Sequence, residues 1–160
     1  MLYFMGIDPG LNNTGIGIVG CENRKLHYIA HFLVRPQKGS LPERLGELVQ
    51  GVAEASKQYE IHSAAVENIF YSVNAKSALI LGQARGAIIA ALLMAGVRVC
   101  EFSALQIKQA VVGYGKAEKE QVKKMVELHL NKVFDKIPLD VTDALACAIC
   151  LATNQTSKVL

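Results

Sequence analysis

Leu2-Tyr3-Phe4-Met5-Gly6-Ile7-Asp8-Pro9-Gly10-Leu11-Asn12-Asn13-Thr14-Gly15-Ile16-Gly17-Ile18-Val19 is the stretch on which the fold turns. Leu2 to Ile7 is a continuous apolar run, the pattern of a central strand covered on both faces. Pro9 to Asn13 is a turn signal, and Thr14 to Val19 reads as a second strand folded back on the first. Lys25 to Val34, of mixed polarity, makes a third. Three strands joined by short turns imply an antiparallel meander, with Asp8 stranded at the end of its first strand.

Beyond Pro36 the period lengthens. Leu41, Leu45, Leu48, Val49 and Val52 recur at helical spacing with Glu43, Arg44 and Glu47 on the other side, predicting an amphipathic helix over Pro42 to Tyr59. Ser63 to Glu67 reads as a short strand. A long helix follows from Ala75 to Ala95, stopped by Gly96. It is apolar nearly all round, so it is expected to be buried on more than one side. Gly82, Gly86 and Ala90 lie four apart along it, a stripe that lets another backbone come close. Val97 to Phe102 makes a fifth strand, and helical segments run over Ser103 to Val112, Lys119 to Asn131 and Leu139 to Thr153. No linker, repeat or charge block divides residues 1–160. The order predicts one α/β domain, a mixed five-stranded sheet flanked by helices.

Composition bounds the function classes. The chain has 160 residues, 51% of them hydrophobic and 19% charged, an ordinary globular profile with enough material for a core. A formal net charge of +3 is too small to announce nucleic acid. If the acids cluster at a metal, though, the remaining surface is more basic than that average. The N-terminus lacks the charged n-region of a signal peptide. The longest apolar stretch, Ala87 to Ala95, falls short of the ~20 residues that span a bilayer. The expected location is the cytoplasm, where the four cysteines stand as free thiols. Cys147 and Cys150 form a C-x-x-C pair with no second pair to complete a zinc site, and read as small core residues.

Four acids stand where structure alone would not choose them. Asp8 ends an apolar strand, Glu67 ends Ala64-Ala65-Val66 in the same way, and Asp140 and Asp143 share one face at the start of the last helix. Mg²⁺ takes oxygen ligands, usually a few carboxylates plus water and phosphate. Two such ions about 4 Å apart activate water and stabilise the leaving oxygen of a phosphodiester. Each acid also has a plainer reading: Asp8 as a turn starter before Pro-Gly, Asp140 as a helix N-terminal charge. Glu67 resists one, since an acid closing a buried strand is costly without a partner. Spacing alone leaves both readings open.

The surrounding motifs add to this. Gly6-Ile7-Asp8-Pro9-Gly10 with Asn13-Thr14-Gly15 resembles the opening of the RuvC-type Holliday junction resolvases, the crossover junction endodeoxyribonucleases. Val66-Glu67-Asn68-Ile69-Phe70 resembles their second acidic motif. Ser77-Ala78-Leu79 with Leu81-Gly82-Gln83-Ala84-Arg85-Gly86, Lys108 to Gly113, Ala117-Glu118-Lys119 and Asp140 to Ala146 match further along. The resemblance implies a ribonuclease H-like fold, a five-stranded mixed sheet with helices on both faces, in agreement with the strand count. It implies catalytic and metal-holding roles for Asp8, Glu67, Asp140 and Asp143. The cofactor would be Mg²⁺, two ions per site, with Mn²⁺ as an alternative. It also implies a homodimer that nicks two opposing strands of a four-way DNA junction, leaving ligatable 5′-phosphate ends in recombination and repair. A RuvA–RuvB branch-migration complex would be its partner. The Gly82, Gly86 and Ala90 stripe fits either the dimer interface or packing against the sheet.

For DNA contacts, Phe70 resembles the family's aromatic contact with unpaired bases, a stacking worth ~1–3 kcal/mol per base. Tyr71 stands beside it in a predicted loop. Lys108 and Lys119 match basic positions used near the scissile phosphate. The chain departs from the family at Val73 and Ile80, where relatives carry more lysines; Lys76 and Arg85 are the nearest replacements. His27, His31, His62 and His129 fall outside every matched motif. Competing readings are a sugar-kinase or actin-like ATPase, a non-catalytic junction-binding module, and a nuclease acting on RNA. The first needs two domains and a nucleotide-binding glycine motif. The second predicts a missing acid, and the third lacks a use for the Phe70 loop and the Ser77 to Gly86 motif.

Overall fold

Side chains alternate across a strand, and here that alternation divides the chain into two apolar layers with the acids on one side. The structure is a computed structural model and describes residues 1–68 and 74–157. In chain order it comprises β1 (Leu2–Asp8), β2 (Thr14–Glu22), β3 (Lys25–Val34), α1 (Leu41–Lys57), β4 (Ile61–Asn68) and α2 (Ala75–Met94). These are followed by β5 (Arg98–Ser103), α3 (Ala104–Val112), α4 (Lys119–Leu130) and α5 (Leu139–Ser157).

The five strands form one sheet in the order β3-β2-β1-β4-β5. β1, β2 and β3 are antiparallel neighbours, while β4 lies parallel to β1 and to β5, so the meander and the mixed sheet are both found. β2 runs to Glu22 rather than stopping at Val19, because Gly20, Cys21 and Glu22 keep their pairing across a tight turn. That turn puts Asn23 and Arg24 at φ 50° and 64°, the left-handed pair that two-residue hairpins favour. α1 begins at Leu41 because Ser40 caps it reciprocally with Glu43.

On one face, Met5, Ile7, Ile16, Ile18, Ala64 and Val66 pack with Leu48 and Val52 of α1 and Ala84, Ile88 and Leu92 of α2. On the other, Phe4, Val19 and Ala65 pack with α3, α4 and the nearly all-buried α5, in which Cys147 and Cys150 are core residues. Two glycines set how close α5 lies. A Cβ on Gly6 would stand 2.0 Å from the Ala144 carbonyl oxygen and 2.3 Å from the Ala148 nitrogen. One on Gly15 would stand 2.0 Å from the Asp140 oxygen. The helix backbone therefore rests directly on β1 and β2, at a separation no side chain would permit.

α2 departs from expectation. It is long and apolar enough by composition to cross a membrane, yet only 22% of its most apolar 18-residue window is buried. The prediction of burial on more than one side is not met within this chain. Ala84, Ile88, Ala91 and Leu92 face the core, whereas Leu79, Leu93 and Met94 are exposed. A Cβ at Gly82 or Gly86 would meet nothing within 4 Å, so the small-residue stripe does not pack against the sheet.

Candidate active site

Parity and register bring the acids together. Asp8 shares the α5 face of β1 with Phe4 and Gly6, and Glu67 shares the same face of β4 with Ala65. The parallel register pairs Ile7 with Val66, so Asp8 and Glu67 emerge side by side at the ends of neighbouring strands. The close seating of α5 then lays its first turns, with Asp140 and Asp143, over the same strand ends. All four line one cavity of about 500 Å³, together with Lys108 from α3 and Lys119 at the start of α4. Six residues singled out from sequence thus meet at one place. A larger recess of about 1000 Å³ lies at the far end of the sheet, between Arg24–Tyr28 and Leu128–Lys132, and contains none of these acids.

The turn after Asp8 is held locally. The Thr14 hydroxyl donates to the Gly10 carbonyl at 2.6 Å, and the Gly10 N–H donates back to that hydroxyl at 3.1 Å. Thr14 is fully buried, so this closure is shielded from water and fixes the strand end that carries Asp8.

Burial and mutual repulsion dominate the electrostatics of the cavity. Burial pushes the Asp8 carboxyl up to about 8, reinforced by the charges of Glu67, Asp143 and Asp140 and opposed by Lys119. Burial, then Asp143, raises Glu67, while Lys108 and Lys119 pull it down. Burial also raises Asp143, against Lys119 and Lys108 and with Asp140. Asp8 so placed holds a proton near neutral pH unless a cation replaces it, and Glu67 and Asp143 are shifted in the same direction. Among the described residues no group of three or more acidic, His or Cys side chains stands gathered to hold a metal ion in this fold. An open set suits Mg²⁺, which keeps several waters and completes its shell with substrate phosphate.

Arg85 has a role that sequence reasoning missed. Its Nε donates to the Glu67 carbonyl at 3.0 Å, and its guanidinium pairs with Glu101 of β5. It braces the strand end carrying Glu67. An arginine inside an otherwise apolar helix was the available signal. Ile80, within α2, is partly buried against the core, and Lys76 is exposed at the helix start. Phe70, Tyr71 and Val73 lie outside the described residues. None of the four histidines lines the cavity.

With this geometry in place, comparison with known proteins gives a consistent result. A family model described as crossover junction endodeoxyribonuclease RuvC matches residues 4–151. The crossover junction endodeoxyribonuclease RuvC of Hyphomonas neptunium is 48% identical over 152 residues, covering 94% of this chain and 90% of that protein. That of Paraburkholderia phytofirmans is 44% identical over 157 residues, covering 98% and 86%. Among solved structures, T. thermophilus RuvC in complex with a Holliday junction substrate superposes with a TM-score of 0.92 at 31% identity, covering 99% and 97% of the two chains. The yeast mitochondrial Holliday junction resolvase Ydc2 shares the fold, with a TM-score of 0.69 at 11% identity.

Proposed function

This chain belongs to the crossover junction endodeoxyribonuclease RuvC family, and on that footing we propose that Asp8, Glu67, Asp140 and Asp143 together form its metal-holding catalytic site. The protein is a Holliday junction resolvase, a metal-dependent endonuclease acting on four-way DNA. The observation that supports the residue assignment is the meeting of four carboxylates and two lysines in one cavity.

The four carboxylates fit Mg²⁺ because they are oxygen donors, and the buried charge of Asp8, Glu67 and Asp143 is only partly offset by Lys108 and Lys119; two ions per site is what the family resemblance implies. The chemistry such ions supply when bound is activation of water and stabilisation of the leaving oxygen in an in-line displacement. Asp8 and Glu67 project from rigid strand ends, and Asp140 and Asp143 from the first turns of a buried helix. The constellation therefore costs little reorganisation when substrate arrives. Lys108 and Lys119 place positive charge at the cavity wall, where they offset the scissile phosphate. Ligatable 5′-phosphate ends follow from attack by water on phosphorus with loss of the 3′ oxygen. Phe70 and Tyr71 are assigned to unpaired bases at the crossover.

Paired nicks require two sites, and an isologous dimer supplies them. The open face of α2, with Leu79, Gly82, Gly86, Ala90 and Leu93, is the surface we assign to the second copy. Burying it against a like helix explains a spanning-grade apolar helix in a DNA enzyme without invoking a membrane. The RuvA–RuvB complex is the partner this role implies, and the cytoplasm its place.

The test uses a synthetic four-way junction and a linear duplex of the same sequence, with and without Mg²⁺, comparing the protein with Asp8→Asn. Metal-dependent, symmetrically paired nicks confined to the junction are expected, with Asp8→Asn binding the junction but leaving it whole. Undiminished cutting by the variant would sink the assignment of Asp8, and equal cutting of the linear duplex would sink junction selectivity.

A further inference from the structure

Three basic residues on the opposite flank of the active site from Lys108 and Lys119 converge on a recess that the proposed chemistry does not use. It measures about 460 Å³ and is lined by Asn12, Arg35, Lys38 and Arg44, among others, with no carboxylate in its wall. The two arginines come from different elements and meet at the turn that follows Asp8. Arg35, just past the end of β3, donates from Nε to the Asn13 side-chain oxygen at 3.1 Å. Arg44, on the first turns of α1, donates from Nη2 to the Asn12 side-chain oxygen at 2.7 Å and the Leu11 carbonyl at 3.2 Å. The Arg44 Nε is buried with no partner among the described residues. A buried guanidinium N–H left unpaired is costly, and a site that awaits an acceptor is one reason to keep it.

Two acids stand nearby: Glu43 accepts from the Ser40 N–H and hydroxyl, and Glu47 from the Gln37 N–H at 2.8 Å. Among the described residues neither forms an ion pair with Arg35, Lys38 or Arg44. Arg35 adjoins the Thr14↔Val34 pair, two strands from β1 in the sheet order. Two strand spacings of ~4.8 Å put it roughly 10 Å across the sheet from the Asp8 strand, at the same end. Cations therefore flank the acids on both sides: Lys108 and Lys119 by α3 and α4, and Arg35, Lys38 and Arg44 by α1.

We infer that the recess formed by Asn12, Arg35, Lys38 and Arg44 binds a backbone phosphate of the same DNA, on a nucleotide away from the cut. A chain laid across four carboxylates needs anchoring where the surface turns positive, and guanidinium forks match phosphate oxygens. Arg44 and Arg35 would then also couple that grip to the turn behind Asp8. This rests on the junction-cleaving reading above.

The test is the salt dependence of junction binding, measured on the full chain with divalent ions chelated so that no cutting occurs. Each phosphate that a variant no longer neutralises flattens the slope of log K against log salt by about 0.9. Arg35→Gln with Lys38→Gln is expected to flatten it by about 0.9, the share of one phosphate, and Lys38→Gln alone by a measurable part of that. Arg24→Gln with Lys25→Gln, an equal charge change at the far end of the sheet, serves as the control and should leave the slope as it is. Thermal melts confirm that each variant folds, and Lys38→Gln alone carries the test if the double variant does not. A slope unchanged by Lys38→Gln, or changed as much by the control pair, overturns the inference. Failure of the unaltered protein to prefer a four-way junction over a duplex would instead strike the function itself.

Discussion

Asp8 shows most clearly how a single residue trades stability for chemistry. Its carboxyl stands at about 8 in the fold, against an ordinary value near 3.8. A raised carboxylate holds its proton in the folded state over the range where the unfolded chain has lost it. The metal-free protein therefore loses stability as pH rises from about 4 towards 8, since the folded state binds more protons than the unfolded state there. Asp8→Asn removes that penalty. In chelator, the stability of the variant relative to the protein should rise by about 1–3 kcal/mol between pH 5 and pH 8, allowing for residual solvent contact. Mg²⁺ at pH 8 should raise the melting temperature of the protein far more than that of the variant, because ligand binding to the folded state alone stabilises it. Thermal melts at the two pH values check this, and a gap between the two proteins that does not change with pH contradicts it. That the four acids belong together was suggested by the motifs around them and not by spacing, which leaves Asp8 readable as a turn starter and Asp140 as a helix N-terminal charge. The role of Arg85 was not legible in the sequence, because its partners, the Glu67 carbonyl and Glu101, are brought to it only by the fold.

Among the elements, the seating of α5 on β1 and β2 decides whether the acids meet. Gly15→Ala would drive a Cβ to 2.0 Å from the Asp140 carbonyl oxygen and 2.3 Å from its carbon. The start of α5 must then shift, and with it Asp140 and Asp143. A displacement of about 1 Å costs on the order of 10²-fold in rate, so junction cutting should fall by that order while junction binding survives. Measuring both in one preparation separates this from unfolding, and full activity in Gly15→Ala would show that the close approach is dispensable. The strand and helix order was readable because the period changes cleanly after Pro36 and turn residues punctuate the first third. What was not readable was which side of α2 stays open. An all-apolar helix carries no polar face to mark solvent, and periodicity does not distinguish a surface buried in its own chain from one awaiting a second copy. The continuation of β2 to Glu22 was likewise hidden, because Gly20 and Cys21 look like the start of a turn until their pairing is seen.

Taken as a complete enzyme, a monomer that holds one acid cluster must serve a reaction that needs two. Gly86→Glu would place a charge in the middle of the open α2 face, where a Cβ meets nothing within 4 Å of its own chain. The variant should fold as before, sediment as a single copy where the unaltered protein is expected to sediment as the proposed dimer, and lose paired nicking. An unchanged dimer would move the interface elsewhere. Whether four acids from two strands and a helix act as one metal site is decided by a set of single-turnover cleavage rates. These would be taken on a four-way junction at saturating Mg²⁺ for Asp8→Asn, Glu67→Gln, Asp140→Asn and Asp143→Asn, each with its junction affinity. Every variant should bind the junction, and each should lose at least about 10³-fold in rate, as expected when groups act as a unit. Near-normal cutting by any one of the four would contradict a single shared site.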